Sequence, residues 1–377
     1  MRQEIKSRIE EIKRGGVPDG YRKTPVGVFP CDWEEKQIGK VLKIKHGRSQ
    51  KEVENPNGQY PILATSGQIG RSDKFLYDKP SVLIGRKGTI DKPFYMDTPF
   101  WTVDTLFYSQ VFNNYNAKYI YYIFNMINWK KYDESTGVPS LSAKGIESIT
   151  YMFSKLLAEQ KKIAEILMVC DEGIELEEKL IKKLEERKKA LMQKLLTPQP
   201  HWQISELGKI CKIKKGIQIS KVDLWDKGEF PVINGGIQPS GFYNKYNTNE
   251  NTITISEGGN SCGYVNYIRQ KFWSGGHCYT ISNSKINDLY LYAYLKYIQT
   301  EIMNLRVGSG LPNVQKNAVE RIKINYPKEI ERQISIGELF NCIDKTEKLH
   351  ILKLEKLKSR RKVLMQLLLT GIVRVGE

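Results

Sequence analysis

LMQKLLT at residues 191–197 and LMQLLLT at 364–370 agree in six of seven letters, and each closes a long charged segment. A phrase written twice so far apart asks for a comparison of the chain with itself, and repeats have to be found before any motif is trusted. Sliding the sequence by 169 to 173 residues brings Trp33 onto Trp202, IGKVLKIKHG (38–47) onto LGKICKIKKG (207–216) and YPIL (60–63) onto FPVI (230–233). SVLIGRKG (81–88) then meets TITISEGG (252–259), Trp101 meets Trp273, and GVPSL (137–141) meets GLPNV (310–314). Gln160 falls on Gln333 and Asp171 on Asp344 before the heptapeptides coincide. The offset drifts upward, as small loop insertions produce. The chain is therefore two copies of one unit, a globular part followed by a helix.

Each globular part reads as mixed and strand-rich. Short β-branched and aromatic runs such as VLKIKH, SVLIG, NTITI and GYVNYI are separated by Gly, Pro, Asn and Asp turns. A Tyr-rich stretch in each (119–132 and 290–305) has apolar spacing near 3.6 and predicts a helix whose aromatics face a core rather than a base.

The charged segments differ in kind. In 155–196, Leu167, Cys170, Ile174, Ile181, Leu184, Leu191 and Leu195 fall on heptad seam positions. Phe340, Ile343, Leu354, Leu357, Leu364 and Leu368 make the second seam, and a base interrupts both at the same place, Lys188 and Arg361. A lone charged helix with one apolar seam needs a partner, and the equivalent helix supplies it. The expected fold is α+β: two tandem copies of a mixed α/β domain, each followed by a long helix, the helices pairing as an antiparallel coiled coil with pseudo-twofold symmetry. The expected boundaries are an N-terminal helical segment 1–23, a first domain 24–154, a helix 155–197, a second domain 198–328, and a helix with tail 329–377. The N-terminal segment, with Ile5, Ile9 and Ile12 on one face, is expected to pack near the C-terminal helix and close a circular arrangement.

Composition narrows the function. The formal net charge is +17, which favours an anionic partner such as nucleic acid. Residues 155–196 are nearly balanced, ten bases against nine acids, while 197–328 hold sixteen against nine, so the second globular part carries much of the excess. Six scattered cysteines without a CxxC pair give no zinc ribbon, and isolated thiols suit a reducing cytoplasm. The N-terminus lacks the apolar core of a signal peptide, and no apolar run is long enough for a bilayer.

Catalytic tools are absent. There is no GxxxxGK[ST] phosphate loop and no Pro-Pro pair of the kind found in the amine-binding tetrapeptide of DNA methylases. Asp32, Glu34 and Lys36 in PCDWEEK imitate a nuclease cluster, but the second copy, QPHWQIS (199–205), keeps only the tryptophan. A standalone nuclease guided by two recognition domains, or a non-catalytic scaffold for nucleic acid or protein, are the competing readings.

The order of these features resembles the specificity (S) subunit of Type I restriction-modification systems over nearly the whole chain. The resemblance rests on the doubled globular part opening near Trp33 and Trp202, and on the GVPSL and GLPNV stretches. It also rests on Glu159-Gln160 and Arg332-Gln333 at the helix starts, and on the LMQ-LLT endings; Arg332 departs from the usual Glu-Gln pair. The resemblance implies two target-recognition domains, each reading one half of a split, non-palindromic site in double-stranded DNA. The long helices then serve as a spacer ruler and as the docking surface for two methyltransferase subunits. Those partners bring S-adenosylmethionine and methylate adenine, and a motor-nuclease (restriction) subunit can join. This chain itself is expected to hold no cofactor, no metal and no catalytic residue, and to work in the cytoplasm away from any membrane.

Base readout and phosphate contact call for Arg, Lys, Asn, Gln and loop hydroxyls. In the first domain these are Arg48, Gln50, Gln68, Arg71, Arg86 and Lys87, with Ser140 and Lys144 before the helix. In the second they are Lys215, Gln218, Gln238 and Asn260, with Arg306, Ser309, Asn313 and Lys316 before the helix. Arg86-Lys87 stand opposite Glu257-Gly258, as expected if the copies read different bases. His277 aligns with Thr105; a further readout position is one reading of it, and a buried structural histidine is the expected one. The shared glutamine of the heptapeptides, Gln193 and Gln366, is expected to face outward.

Overall fold

β-Branched and aromatic runs build the sheets of both globular parts, because such side chains pack well on a pleated, half-buried surface. In the computed structural model, which describes residues 3–308, 310 and 312–375, one topology appears twice. A four-stranded antiparallel sheet runs Leu42–Lys45, Leu106–Val111, Ser81–Gly85, Phe94–Met96 in the first copy. The second copy runs Lys212–Lys215, Cys278–Ser282, Thr252–Ser256, Val265–Ile268. Beside it, Tyr60–Ala64 pairs antiparallel with Gly67–Ser72 and parallel with Trp101–Thr102, and Phe230–Ile233 does the same with Gly241–Tyr243 and Trp273–Ser274. A last antiparallel pair joins the start of each domain to its end, Glu34–Gln37 with Thr150–Phe153 and Gln203–Glu206 with Lys323–Tyr326. The aligned glycines Gly47 and Gly216 explain part of the repeat. A Cβ there would lie 2.0 Å from the Val103 carbonyl oxygen and 2.3 Å from that of Gly275.

The Tyr-rich stretches are helical only in part. Ala117–Phe124 is a helix followed by a 3₁₀ turn at Trp129–Tyr132, and the second stretch breaks into Asp288–Tyr297 and Gln299–Asn304. Their aromatics are core: Tyr119, Tyr122, Phe124, Tyr290 and Tyr294 are buried. Asn116 and Asn287 cap these helices, accepting from the N–H of Tyr119 and Tyr290.

Two unbroken helices, Leu157–Leu196 and Ile330–Leu369, follow the globular parts. The chain divides into two units through the middle of both, one running to Leu176 and resuming at Leu354, the other Glu177–Lys353. Within each unit the two half-helices pack antiparallel. In the second, Glu177 meets His350 and Lys353 while Lys188 meets Asp344 and Glu347, so one chain ascends as the other descends. The interrupting bases now have a reason. Arg361 pairs with Asp171 in the first unit, and Lys188 pairs with the equivalent Asp344 at 2.7 Å in the second. Each base answers the acid of the opposite helix, a polar device that fixes register.

The heptapeptides also leave the seam. Met365, Leu368 and Leu369 enter the first core with Phe29 and Trp33, and Leu196 enters the second with Trp202, flanked by Leu191 and Leu195. Each LMQ-LLT therefore plugs its helix end into a globular core, and the C-terminal one enters the first domain. Thr197 and Thr370 end the helices by donating their hydroxyls to the Gln193 and Gln366 carbonyls. Both glutamine side chains are exposed, as expected. The N-terminal helix, Gln3–Lys13, sits by the C-terminal tail: Arg8 donates to the Ile372 carbonyl at 2.9 Å and Tyr21 to that of Gly371 at 2.7 Å.

Candidate nucleic-acid interface

The loops at one rim of each domain are stitched by main-chain hydrogen bonds with matched addresses. In the first unit Arg48 N donates to Thr102 O, Arg86 N to Thr105 O, Gly88 N to Pro139 O and Leu141 N to Arg86 O. In the second Ile217 N donates to Ser274 O, Glu257 N to His277 O, Gly259 N to Pro312 O and Val314 N to Glu257 O. The aligned tryptophans lock the same loop, Trp101 donating its indole N–H to Arg48 O at 2.9 Å and Trp273 to Ile217 O at 2.8 Å. Four sequence-distant loops per unit thus present their side chains together.

The first rim gathers Arg48, Arg86, Lys87 and Ser140. Arg48 and Lys87 are exposed, Arg86 is half-buried with its guanidinium on the Asp104 carbonyl at 3.2 Å, and Lys87 bridges to Ser140. Gln50 is half-buried beside it. Gln68 and Arg71 lie on the strand Gly67–Ser72 instead, and Arg71 folds back onto the carbonyls of Gly58 and Gln59 at 2.6 and 2.9 Å. Lys144 is exposed on the short helix Ala143–Ser148.

In the second rim, Lys215 pairs with Glu257, Asn313 bridges to Gly258, and Gln218 is exposed alongside with its amide on Ile219 O. Gln238 and Asn260 are exposed in loops, and Arg306 is exposed after Gln299–Asn304. Lys316 pairs with Glu320 at 3.3 Å on the helix Lys316–Glu320. Ser309 lies outside the described residues.

The electrostatics of the rims are opposed. The first ends in guanidinium and ammonium groups, while the second has a carboxylate on its floor. Burial works against the charge of Glu257, yet hydrogen bonds from Lys215 and Tyr279 hold its carboxyl below the ordinary range. His277 corrects the expectation of a buried histidine. Its side chain is 60% exposed at the mouth of a cleft shared with Lys215, Glu257 and Asn313. The turn Gly275–Cys278, closed by Cys278 N donating to Gly275 O at 3.1 Å, carries it out to the surface instead.

The acids of PCDWEEK serve structure. Asp32 pairs with Arg374 of the tail at 2.9 Å and Glu34 with Lys36 at 2.6 Å. Sequence reasoning passed over Arg374, which also reaches Glu159 at 2.7 Å; only its place in an otherwise apolar tail could have marked it. Among the described residues, no helix is long and apolar enough to cross a membrane.

Known proteins resemble this chain throughout. The model of the Type I restriction modification DNA specificity domain matches twice, over residues 30–186 and 200–359. A putative type I specificity subunit of Mycoplasma pneumoniae is 23% identical over 341 residues, covering 84% of this chain and 90% of that protein. The crystal structure of a Type-I restriction-modification S subunit from M. genitalium superposes with a TM-score of 0.78 at 22% identity, over 89% of this chain and 96% of that one. A chain from structures of complex assembly and conformational transition in the type I R-M system gives a TM-score of 0.51 at 11% identity, over 92% and 99%.

Proposed function

The chain belongs to the family of type I restriction-modification specificity subunits, and on that premise we propose how its parts divide the work. The two rims each read one half of a split, asymmetric site in double-stranded DNA, and the helix ends carry two copies of one methyltransferase subunit. The chain supplies recognition and spacing in the cytoplasm, and the partners supply S-adenosylmethionine and the methyl transfer. A restriction subunit joins through the same assembly.

The observation that carries this reading is an unequal rim beside an equal helix face in each unit. From Lys183 to Thr197, ten of fifteen positions are identical to Lys356–Thr370, against five of twenty-six from Leu157 to Lys182. Part of that identity is core. The rest is exposed: Lys183, Arg187, Lys189 and Gln193 on one helix, Lys356, Arg360, Lys362 and Gln366 on the other. None of these six bases forms an ion pair with the described residues. Packing does not require them, so their repetition supports a surface used twice by the same acidic partner. The rims need no such agreement, because different half-sites call for different contacts.

The test is co-expression with the cognate methyltransferase and sequencing of modified bases. One bipartite adenine-methylation motif is expected, and exchanging residues 24–154 for those of a relative changes one half-site only. Reversing Lys183, Arg187, Lys356 and Arg360 to Glu abolishes co-purification of the methyltransferase while thermal melting stays within about 0.5 kcal/mol, as exposed substitutions do. A motif that persists when this gene is deleted refutes the assignment.

A further inference from the structure

Arg86 and Glu257 stand at one address in the two rims. Each donates its main-chain N–H to the residue four beyond the locking tryptophan, Thr105 in the first unit and His277 in the second. Their side chains have opposite chemistry. The Arg86 guanidinium is a donor only. Glu257, its side chain 15% exposed, lies on the floor of a cleft of about 580 Å³. Its Oε1 accepts from Lys215 Nζ at 2.6 Å and from Tyr279 Oη at 2.9 Å. Its Oε2 is buried without a hydrogen bond and faces His277 Nδ1 at 3.4 Å.

That geometry orients the imidazole. The His277 main-chain N–H is held by Asn234 Oδ1 at 2.9 Å, and glycines wall the ring. A Cβ on Gly258 would lie 3.6 Å from Nδ1, and one on Gly235 would lie 3.5 Å from the His277 Cβ. A neutral histidine that turns Nδ1 toward a carboxylate keeps its proton there, and Nε2 is left as an acceptor. The ring is exposed, so the acceptor is offered at the cleft mouth. A carboxylate beneath repels phosphate oxygens and keto edges and attracts amino groups.

Building on the assignment of the rims to DNA, we propose that His277, positioned by Glu257, accepts a hydrogen bond from the exocyclic amino group of a base in the second half-site. That group is cytosine N4 or adenine N6. At the matching place in the first half-site, Arg86 donates to the O6 and N7 of guanine.

The test uses the full chain co-purified with its methyltransferase and the duplex site found by methylation sequencing. In the second half-site each adenine is replaced in turn by unsubstituted purine and each cytosine by 2-pyrimidinone, which removes only the amino group. Wild-type binding is expected to fall about tenfold at one position, and the base at that position identifies the source. His277→Ala is expected to bind the native and substituted duplexes equally. Glu257→Gln is expected to narrow the difference at that same position, with the first half-site unchanged. If His277→Ala folds poorly, His277→Leu, which has no acceptor, replaces it in the comparison. Sensitivity that survives in the histidine variants, or no sensitive position in the wild type, overturns the proposal. A wild-type complex that binds no split site overturns the DNA reading itself, a separate result.

Discussion

In the first unit Trp33 gives its indole N–H to Glu159 Oε2 at 3.2 Å, and Arg374 of the tail braces that same carboxylate and Asp32. In the second, Trp202 lies under the Arg332 guanidinium at 5.9 Å, and its indole nitrogen is buried without a hydrogen bond. One residue further along the helices the units agree completely. Gln160 accepts from Asn116 N and donates to Ser154 O, and Gln333 accepts from Asn287 N and donates to Pro327 O. The difference teaches which contacts a duplicated domain can exchange. A side chain that serves two buried main-chain groups has no substitute, because its loss strands both. A pair of side chains can be traded for another contact, even one that leaves an indole N–H unpaired. Arg332 is such a trade, and the missing Glu-Gln dipeptide leaves the frame intact.

The comparison breaks most visibly at the helix ends. Leu196 and Leu369 are both fully buried, and Leu196→Ala or Leu369→Ala is expected to cost about 3 kcal/mol. Denaturant melts of the two should agree closely; a cost in one copy alone means that the helix ends are not equivalent. Next come the glutamine clamps. Gln160→Ala and Gln333→Ala each leave a buried N–H and a carbonyl unpaired, a loss of about 2 kcal/mol, measured in the same melts and again equal.

The smallest effect separates the units. The hydrogen bond and charge of Arg374 hold the Asp32 carboxyl below its ordinary value of 3.8. A carboxyl with a depressed folded pKa adds stability above its unfolded value and loses it as pH falls through the folded one. The tail clamp is therefore intact at neutral pH and weakens below about pH 4. Asp32 is largely exposed, so the loss is under about 1 kcal/mol. Protection factors for the amides of residues 371–375, corrected for the intrinsic pH dependence of exchange, should fall between pH 5 and pH 3, and Asp32→Asn should remove that fall. The Trp202–Arg332 contact contains no carboxylate and should not respond.

Repeat arithmetic made much of the frame legible. The doubled strands, the paired helices, the seam and the matched breaks at Lys188 and Arg361 all follow from one chain compared with itself. The site was less legible. The named loops at Arg48, Arg86 and Ser140 lie together, but Arg71 braces a turn, and His277 was expected inside. A side chain's direction at the end of a short strand depends on a glycine turn and on which loop closes over it. No periodicity records that.

Duplication, a long helix closing each copy, and the residue types that differ between copies were all readable along the chain, because hydrophobic spacing and repetition are local and countable. Only the tertiary structure decided what LMQ-LLT does, that Asp171 answers Arg361 while Asp344 answers Lys188, and that Glu257 lies beneath His277. Those are meetings of residues far apart in the chain, 190 positions for Asp171 and Arg361, selected by packing and by the need to pair buried polar groups, and such meetings leave no pattern along the chain.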